Sequence, residues 1–376
     1  MRVMMLGPFP WSQDRIDGGV AAAVTYLAQA LVLEAGVELI GVRVAGGGRA
    51  LAPGSWLGWP VVDLPLDRGS VSTLYWRQRR RFREIVDQYQ PDIVHAQGAD
   101  VSGLLAVGCG VPAVVTIHGV LGECAKLQTD PVVRARDMLQ GFLTERPTVR
   151  NAPDIISISP YIARYYRNEI KGRIHDVPNA VAPGFFSVRR KPERGRILFA
   201  GRISRGKGVL ELIRAIGRAP DSVHKLVLAG GTPDTAYEDE VRREVQKLGL
   251  ESRVNFAGLL DEASLLVEFA LAEALVLPSY QETAPMVVQQ AMAAGLPVIA
   301  TNVGGIPFQL EHEVTGLLCR AGEVGELSML LSRLAGDPSL SSRLGTAAKA
   351  VAEARYQTGS VARQTREIYG LMLNAK

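Results

Sequence analysis

Short apolar runs recur along this chain, each followed by a loop rich in glycine or polar residues and then by a longer amphipathic segment. That alternation is the pattern of βαβ units, whose strands pair in parallel because each crossover helix carries the chain back over the sheet. The first half predicts strands at residues 2–6, 37–44, 92–95, 113–117, 155–158 and 174–177, with helices between them. Around residues 182–195 the pattern lapses into APGFFSVRRKPERG, rich in proline, glycine and charge, and this segment reads as a linker. A second series follows at residues 196–200, 225–229, 253–256, 274–277 and 297–300. With 376 residues the chain is too long for one ordinary core and suits two. The expected fold class is therefore α/β, with two doubly wound domains facing a central cleft. Their expected bounds are 1–185 and 193–355, and residues from about 356 to 373 read as a last helix.

Composition narrows the class. An apolar fraction of 47% with 21% charged residues is that of a globular protein, and no apolar run reaches the roughly eighteen residues a membrane-spanning helix needs. The start, MRVMMLGPFP, has too little apolar length for a signal peptide, so a cytoplasmic protein is expected. Cys109, Cys124 and Cys319 share no metal or redox spacing and read as bland thiols. The net charge of +4 lies wholly in the first half, where residues 1–190 carry 21 Lys and Arg against 17 Asp and Glu. Much of it is one segment, Arg77, Arg79, Arg80, Arg81 and Arg83 beside Tyr75, Trp76 and Phe82. Such a helix can lie on anionic lipid at the inner face of a membrane, or be a solvated face. No nucleic-acid module accompanies it, so that partner is not expected.

The most informative stretch runs from Leu277 to Gly305 and reads LPSYQETAPMVVQQAMAAGLPVIATNVGG. Pro278 and Ser279 end a buried strand, Glu282 sits in the following turn, and Pro285 suits the first turn of a helix that Gly295 and Pro297 terminate. A carboxylate is thus held at the carboxyl edge of a parallel sheet, beside a helix N-terminus. In open α/β sheets ligands bind at that edge, and helix N-termini favour anions.

Other residues fall at the same kind of edge. Gly18 and Gly19 precede a helical run, a geometry in which backbone amides can approach a phosphate, although the full G-x-G-x-x-G fingerprint of a dinucleotide site is absent. Gly201 through Gly208 reads GRISRGKG, in which Arg202 offers a planar fork of donors and Lys207 a compact charge, a pairing suited to a diphosphate. His118 ends one strand and His95 another, and Asn179 can brace the loop after Val177-Pro178. Gly304-Gly305 repeats the glycine-loop argument. A nucleobase would lie near Gly230-Gly231-Thr232 or Phe256-Ala257-Gly258. Neither a Ser/His/Asp triad, nor a cluster with metal spacing, nor an Asp-x-Asp pair is present, so no metal and no cofactor is expected and cations must neutralise any leaving group.

These motifs in this order resemble the GT-B retaining glycosyltransferases of glycosyltransferase family 4 (group 1). The resemblance spans nearly the whole chain: Gly18-Gly19, Val115-Thr116-Ile117-His118-Gly119, Val177-Pro178-Asn179-Ala180-Val181, Gly201-Arg202 with Lys207-Gly208, and Pro278-Ser279 through Val298. It implies two Rossmann-like domains, a nucleotide-sugar donor on the second, an acceptor mainly on the first, a last helix crossing back, and metal-independent transfer with retention. It implies that His118 and Glu282 serve the reacting centre. Gly18, Gly19, Arg202, Lys207, Ala284, Pro285, Met286 and Val287 would hold the donor diphosphate and sugar. His95 and Asn179 would face the acceptor or brace a loop. Gln290 is a departure, since the family usually has a glutamate there that would bond the donor ribose. The donor would be a UDP- or GDP-sugar, and the acceptor a hydroxyl of a glycan, a lipid-linked saccharide or a small molecule. A nucleotide-sugar epimerase of the same architecture, or a non-catalytic nucleotide-binding member, are the alternatives.

Overall fold

The computed structural model describes residues 1–11, 16, 18–46, 58–67, 70–71, 73–219 and 222–374. The chain divides into two compact units, one of residues 1–180 with 358–376, the other of residues 181–357. Each is a parallel sheet with helices packed on it, and together they make a two-domain Rossmann-like α/β architecture.

The first unit holds β1 (Arg2–Leu6), β2 (Glu38–Gly46), β3 (Val61–Leu66), β4 (Ile93–Gln97), β5 (Ala113–Ile117), β6 (Asp154–Ser157) and β7 (Arg173–Asp176), in the order β3-β2-β1-β4-β5-β6-β7. Central strands such as β5 read as unbroken apolar or β-branched runs because helices cover both faces, and β4 is likewise buried at every residue although it carries His95 and Gln97. β3 was not expected from the sequence. Its residues VVDLPL carry an aspartate and a proline, which an edge strand tolerates.

The second unit holds β8 (Arg196–Ala200), β9 (Lys225–Ala229), β10 (Val254–Gly258), β11 (Ala274–Leu277), β12 (Val298–Thr301) and β13 (Leu317–Cys319), in the order β10-β9-β8-β11-β12-β13. β13 was also not expected, and its three residues are too few to show a period. In both sheets the order reverses once, between β1 and β4 and between β8 and β11. The carboxyl ends of those strand pairs are the topological switch points, where this class of sheet leaves a crevice.

One segment sits differently from the sequence reading, and the last helix sits where the resemblance placed it. The stretch 182–195 is anchored within the second unit and is no free linker: Phe185 meets Phe269 edge to face at 5.3 Å, and Arg190 donates to the carbonyls of Ala272 at 2.8 Å and Gly295 at 3.3 Å. The last helix, Thr358–Asn374, belongs to the first unit and packs on the helix Gly19–Val32. The basic segment forms the helix Trp76–Tyr89, turning Phe82 and Val86 inward while Arg80 pairs with Glu84 and Arg81 with Asp67 at the surface. Among the described residues no helix is long and apolar enough to cross a membrane.

Candidate functional site

Two groups of polar side chains stand at the carboxyl ends of the sheets, one in each unit. In the second unit the loops after β8 and β11 lie side by side because those strands pair, Ala274 with Ile197 and Leu275 with Leu198. The first loop makes a short turn, Arg205–Lys207, that ends on Gly208 and opens the helix Val209–Arg218. Gly208 has φ +66°, and a Cβ there would lie 2.1 Å from the Pro278 carbonyl, so only glycine lets the two loops meet. The amide of Tyr280 donates to the Gly206 carbonyl at 2.9 Å and fixes the same approach.

That approach brings Lys207 to Glu282. The Lys207 Nζ donates to Glu282 Oε1 at 2.5 Å, and the Ser279 hydroxyl donates to the same oxygen at 2.7 Å. The Glu282 side chain is 9% exposed and that of Lys207 23%. A carboxylate so shielded needs such partners, since desolvating an unpaired charge costs several kcal/mol. Ser279 is itself held, accepting at its carbonyl from Thr301 Oγ1 at 2.5 Å. Behind the pair, the Gly305 amide donates to the Glu282 carbonyl at 2.9 Å. Gly304 has φ +52°, and a Cβ would stand 1.9 Å from that carbonyl.

The other residues named from the sequence are placed around this pair or apart from it. Arg202 is exposed just after β8 and has no ion-pair partner among the described residues. Ala284, Pro285 and Met286 are buried in the turn and the start of the helix Met286–Ala294, with Val287 half-buried. Pro285 occupies the N-cap position, one residue before the helical turn expected for it, and its extended ψ of 120° is what a residue leading into a helix adopts. Gln290 is 6% exposed on that helix. Gly231 follows the end of β9, whereas Phe256 lies in the middle of β10, where the Arg242 guanidinium covers one face of its ring at 3.8 Å.

In the first unit, Gly18 has φ +92° and caps the helix Gly19–Val32 without any side-chain bond, which leaves the first-turn amides directed outward from an exposed end. His118 follows β5, and its Nε2 bonds Gln97 Oε1 at 2.8 Å. Gln97 and Thr116 are side by side in the β4–β5 register. His95 is fully buried with both ring nitrogens engaged, Nδ1 with the Tyr369 hydroxyl at 2.6 Å and Nε2 with the Thr116 hydroxyl at 2.7 Å. Burial pushes the His118 imidazole down to about 4, and burial with the neighbouring His118 pushes His95 down to about 3, so both rings are neutral near pH 7. Asn179 is 6% exposed and lines, with His118, Gln97 and Thr365, a cavity of about 10 Å³. That volume admits no more than a water, so this cavity belongs to the packing beneath His118.

Ser279 and Thr116 were named from the sequence only as members of motifs, with no role at the site, and Gln97 and Tyr369 were not named. Gln97 left a signal there too, two residues after His95 and therefore on the same side of β4.

Comparison with known proteins agrees with the fold. Residues 184–351 match the family model for glycosyl transferases group 1, and residues 17–185 match that for glycosyltransferase family 4. A D-inositol 3-phosphate glycosyltransferase of Streptomyces avermitilis is 30% identical over 76% of this chain, which spans 66% of that enzyme. An uncharacterized glycosyltransferase of Methanocaldococcus jannaschii is 24% identical over 77% of each chain. Among solved structures, a sucrose-phosphate synthase from Thermosynechococcus elongatus aligns over the whole of both chains with a TM-score of 0.86 at 23% identity. The Anabaena protein HepE in complex with UDP-glucose aligns over 98% of this chain and 99% of its own with a TM-score of 0.74 at 20% identity.

Proposed function

We propose a specific activity for this chain, which belongs to the group 1 glycosyltransferases of GT-B fold. It moves a sugar from a nucleoside-diphosphate sugar, UDP- or GDP-linked, to a hydroxyl acceptor, without a metal and with retained anomeric configuration. The observation that carries this reading is the shielded Lys207–Glu282 pair at the switch point of the second sheet. A cation and a carboxylate with one shared, preorganised position are what a diphosphate and an adjoining polyol require.

The chemistry follows from where charge develops. As the bond from the anomeric carbon to the phosphate oxygen breaks, positive charge grows on the sugar and negative charge on the departing diphosphate. Preplaced cations and amides stabilise the latter with no reorganisation at the moment of reaction. Lys207 and Arg202 take that role in the second unit. Within the first unit, the exposed amides at Gly18 and Gly19 suit a phosphate. A diphosphate competes with Glu282 for the Lys207 ammonium. Once the ammonium turns to it, the carboxylate is free to accept from sugar hydroxyls. The turn Ala284 to Val287 flanks this position, and Gln290 faces the nucleoside ribose with neutral donors and acceptors. His118 contacts a hydroxyl at the reacting centre. The acceptor attacks from the face the leaving group occupies and passes its proton to the departing phosphate.

The test is release of nucleoside diphosphate from UDP- and GDP-sugars by the purified protein, with and without hydroxyl acceptors. Loss of release in Lys207→Ala and Arg202→Ala supports the roles given to them, and unchanged turnover in both sinks them. Gln290 motivates a second reading, a member that binds a nucleotide without turnover; calorimetric binding with no product over a broad donor and acceptor panel favours it.

A further inference from the structure

We infer that Gln97 and His95 are positioning residues for His118: they fix its imidazole as the Nε2–H tautomer and leave Nδ1 as a pure acceptor for a substrate hydroxyl. The last clause rests on the transferase reading of His118, whereas the tautomer itself does not.

An uncharged side-chain amide has one end that only donates and one that only accepts. Gln97 spans the two histidines with opposite ends, Oε1 on His118 Nε2 at 2.8 Å and Nε2 on His95 Nε2 at 3.1 Å. An amide oxygen only accepts, so His118 Nε2 carries the hydrogen. An amide nitrogen only donates, so His95 Nε2 bears a lone pair, which the Thr116 hydroxyl at 2.7 Å also meets. The proton of His95 then sits on Nδ1 and donates to the Tyr369 hydroxyl at 2.6 Å. The two rings are thereby tied to opposite tautomers, and the tie is anchored in the last helix of the chain.

The relay is sealed. His95 and Tyr369 are 0% exposed, and Gln97 and Thr116 3%. None of its members carries a charge, so the proton position is set by hydrogen-bond direction and not by ionisation. Turning Gln97 end for end would require both rings to exchange tautomers and the Tyr369 hydroxyl to reverse, three changes in one buried chain. A His118 that can only accept at Nδ1 has no use for a phosphate oxygen. It selects a partner with a hydrogen to give, which is a hydroxyl of the sugar or of the acceptor.

Nitrogen-edited NMR of the uniformly labelled wild-type protein reads the tautomers without reference to activity, and with five histidines in the chain each is assigned by single substitution. The expected spectrum has His118 protonated at Nε2 and His95 at Nδ1. In Gln97→Glu a carboxylate accepts from both rings, so His118 keeps its tautomer while His95 exchanges and its bond to Tyr369 reverses, the hydroxyl then donating to Nδ1. In Gln97→Leu the His118 signals show mixed tautomers and kcat/KM falls about tenfold, the effect of one neutral hydrogen bond. A wild-type His118 protonated at Nδ1 overturns the inference, as does a Gln97→Leu protein with the His118 tautomer unmoved. Correct tautomers in a protein that turns over no nucleotide sugar would leave the relay standing and remove the transferase reading.

Discussion

The Lys207 ammonium lies 2.5 Å from Glu282 Oε1, and the same carboxylate oxygen accepts from Ser279. Neither Lys207 nor Glu282 is placed by its own loop alone. Each depends on a glycine, Gly208 or Gly304, that lets one backbone pass within contact of another. Lys207→Ala removes the cation and leaves a shielded carboxylate oxygen bonded to the Ser279 hydroxyl. The expected cost in unfolding free energy is on the order of 3 kcal/mol, read from chemical denaturation of the empty protein. A variant as stable as the wild type would mean the pair contributes nothing to the fold.

Arg202→Ala separates binding from stability. Its side chain is exposed and without an ion-pair partner among the described residues, so melting should change little, within about 0.5 kcal/mol. Losing a charged hydrogen bond to a diphosphate should weaken donor binding by about 1.5–3 kcal/mol, roughly ten- to a hundredfold in Kd by calorimetry. Unweakened binding removes Arg202 from the donor site.

Gly304→Ala tests the glycine dependence. The new Cβ meets the Glu282 carbonyl at 1.9 Å in a backbone conformation that alanine resists. The loop must shift, carrying Glu282 with it, and both the melting temperature and kcat should fall. Retention of both would show that the approach of these loops is dispensable.

The buried His95 and the half-buried His118 give stability a pH dependence of definite sign. Their folded values lie below the ordinary 6.5, about 4 for His118 and about 3 for His95. The unfolded chain therefore binds more protons between pH 6.5 and those values, and stability rises with pH across that window. It is fully present above 6.5 and lost on acidification. Complete acidification accounts for a change on the order of 3 kcal/mol for His118 and 5 kcal/mol for His95. Denaturation of wild type and His95→Gln at pH 7 and pH 5 reads the difference: the wild type should lose more on acidification, and an equal loss would mean that His95 does not titrate on unfolding.

Much of this molecule was legible in its sequence, and the exceptions have physical reasons. The buried strands announce themselves as apolar runs because both of their faces are covered, whereas β3 and β13 lie at sheet edges where a proline or a three-residue span suffices. Glu282 and Lys207 stood out because each follows a strand end, but their meeting depends on β8 and β11 being neighbours although Ala274 lies 74 positions after Ala200. The relay beneath His118 was hidden for the same reason. His95, Gln97, Thr116 and Tyr369 come from two strands and the last helix, and only the register Gln97 with Thr116 brings them together. Segment 182–195 misled because proline, glycine and charge mark irregular backbone, and irregular backbone can still be anchored, here through Phe185 and Arg190.

A nucleoside diphosphate that binds the native state should raise the melting temperature, by an amount equivalent to about 2.7 kcal/mol at a hundred times its Kd. A screen of UDP, GDP and ADP therefore identifies the base, which no residue choice near Gly231 or Phe256 discloses. Absence of any shift at millimolar nucleotide would argue against a donor site around Lys207.

Glycosyl transfer itself is decided by one assay: nucleoside diphosphate release from the nucleotide sugar that binds, in the presence of a panel of hydroxyl acceptors, compared between the wild type and Lys207→Ala. Release coupled to a glycosylated product in the wild type, and its loss in the folded variant, is the expected result. A donor recovered as its epimer, or bound and left intact by the wild type, or equal release by both proteins, would contradict it.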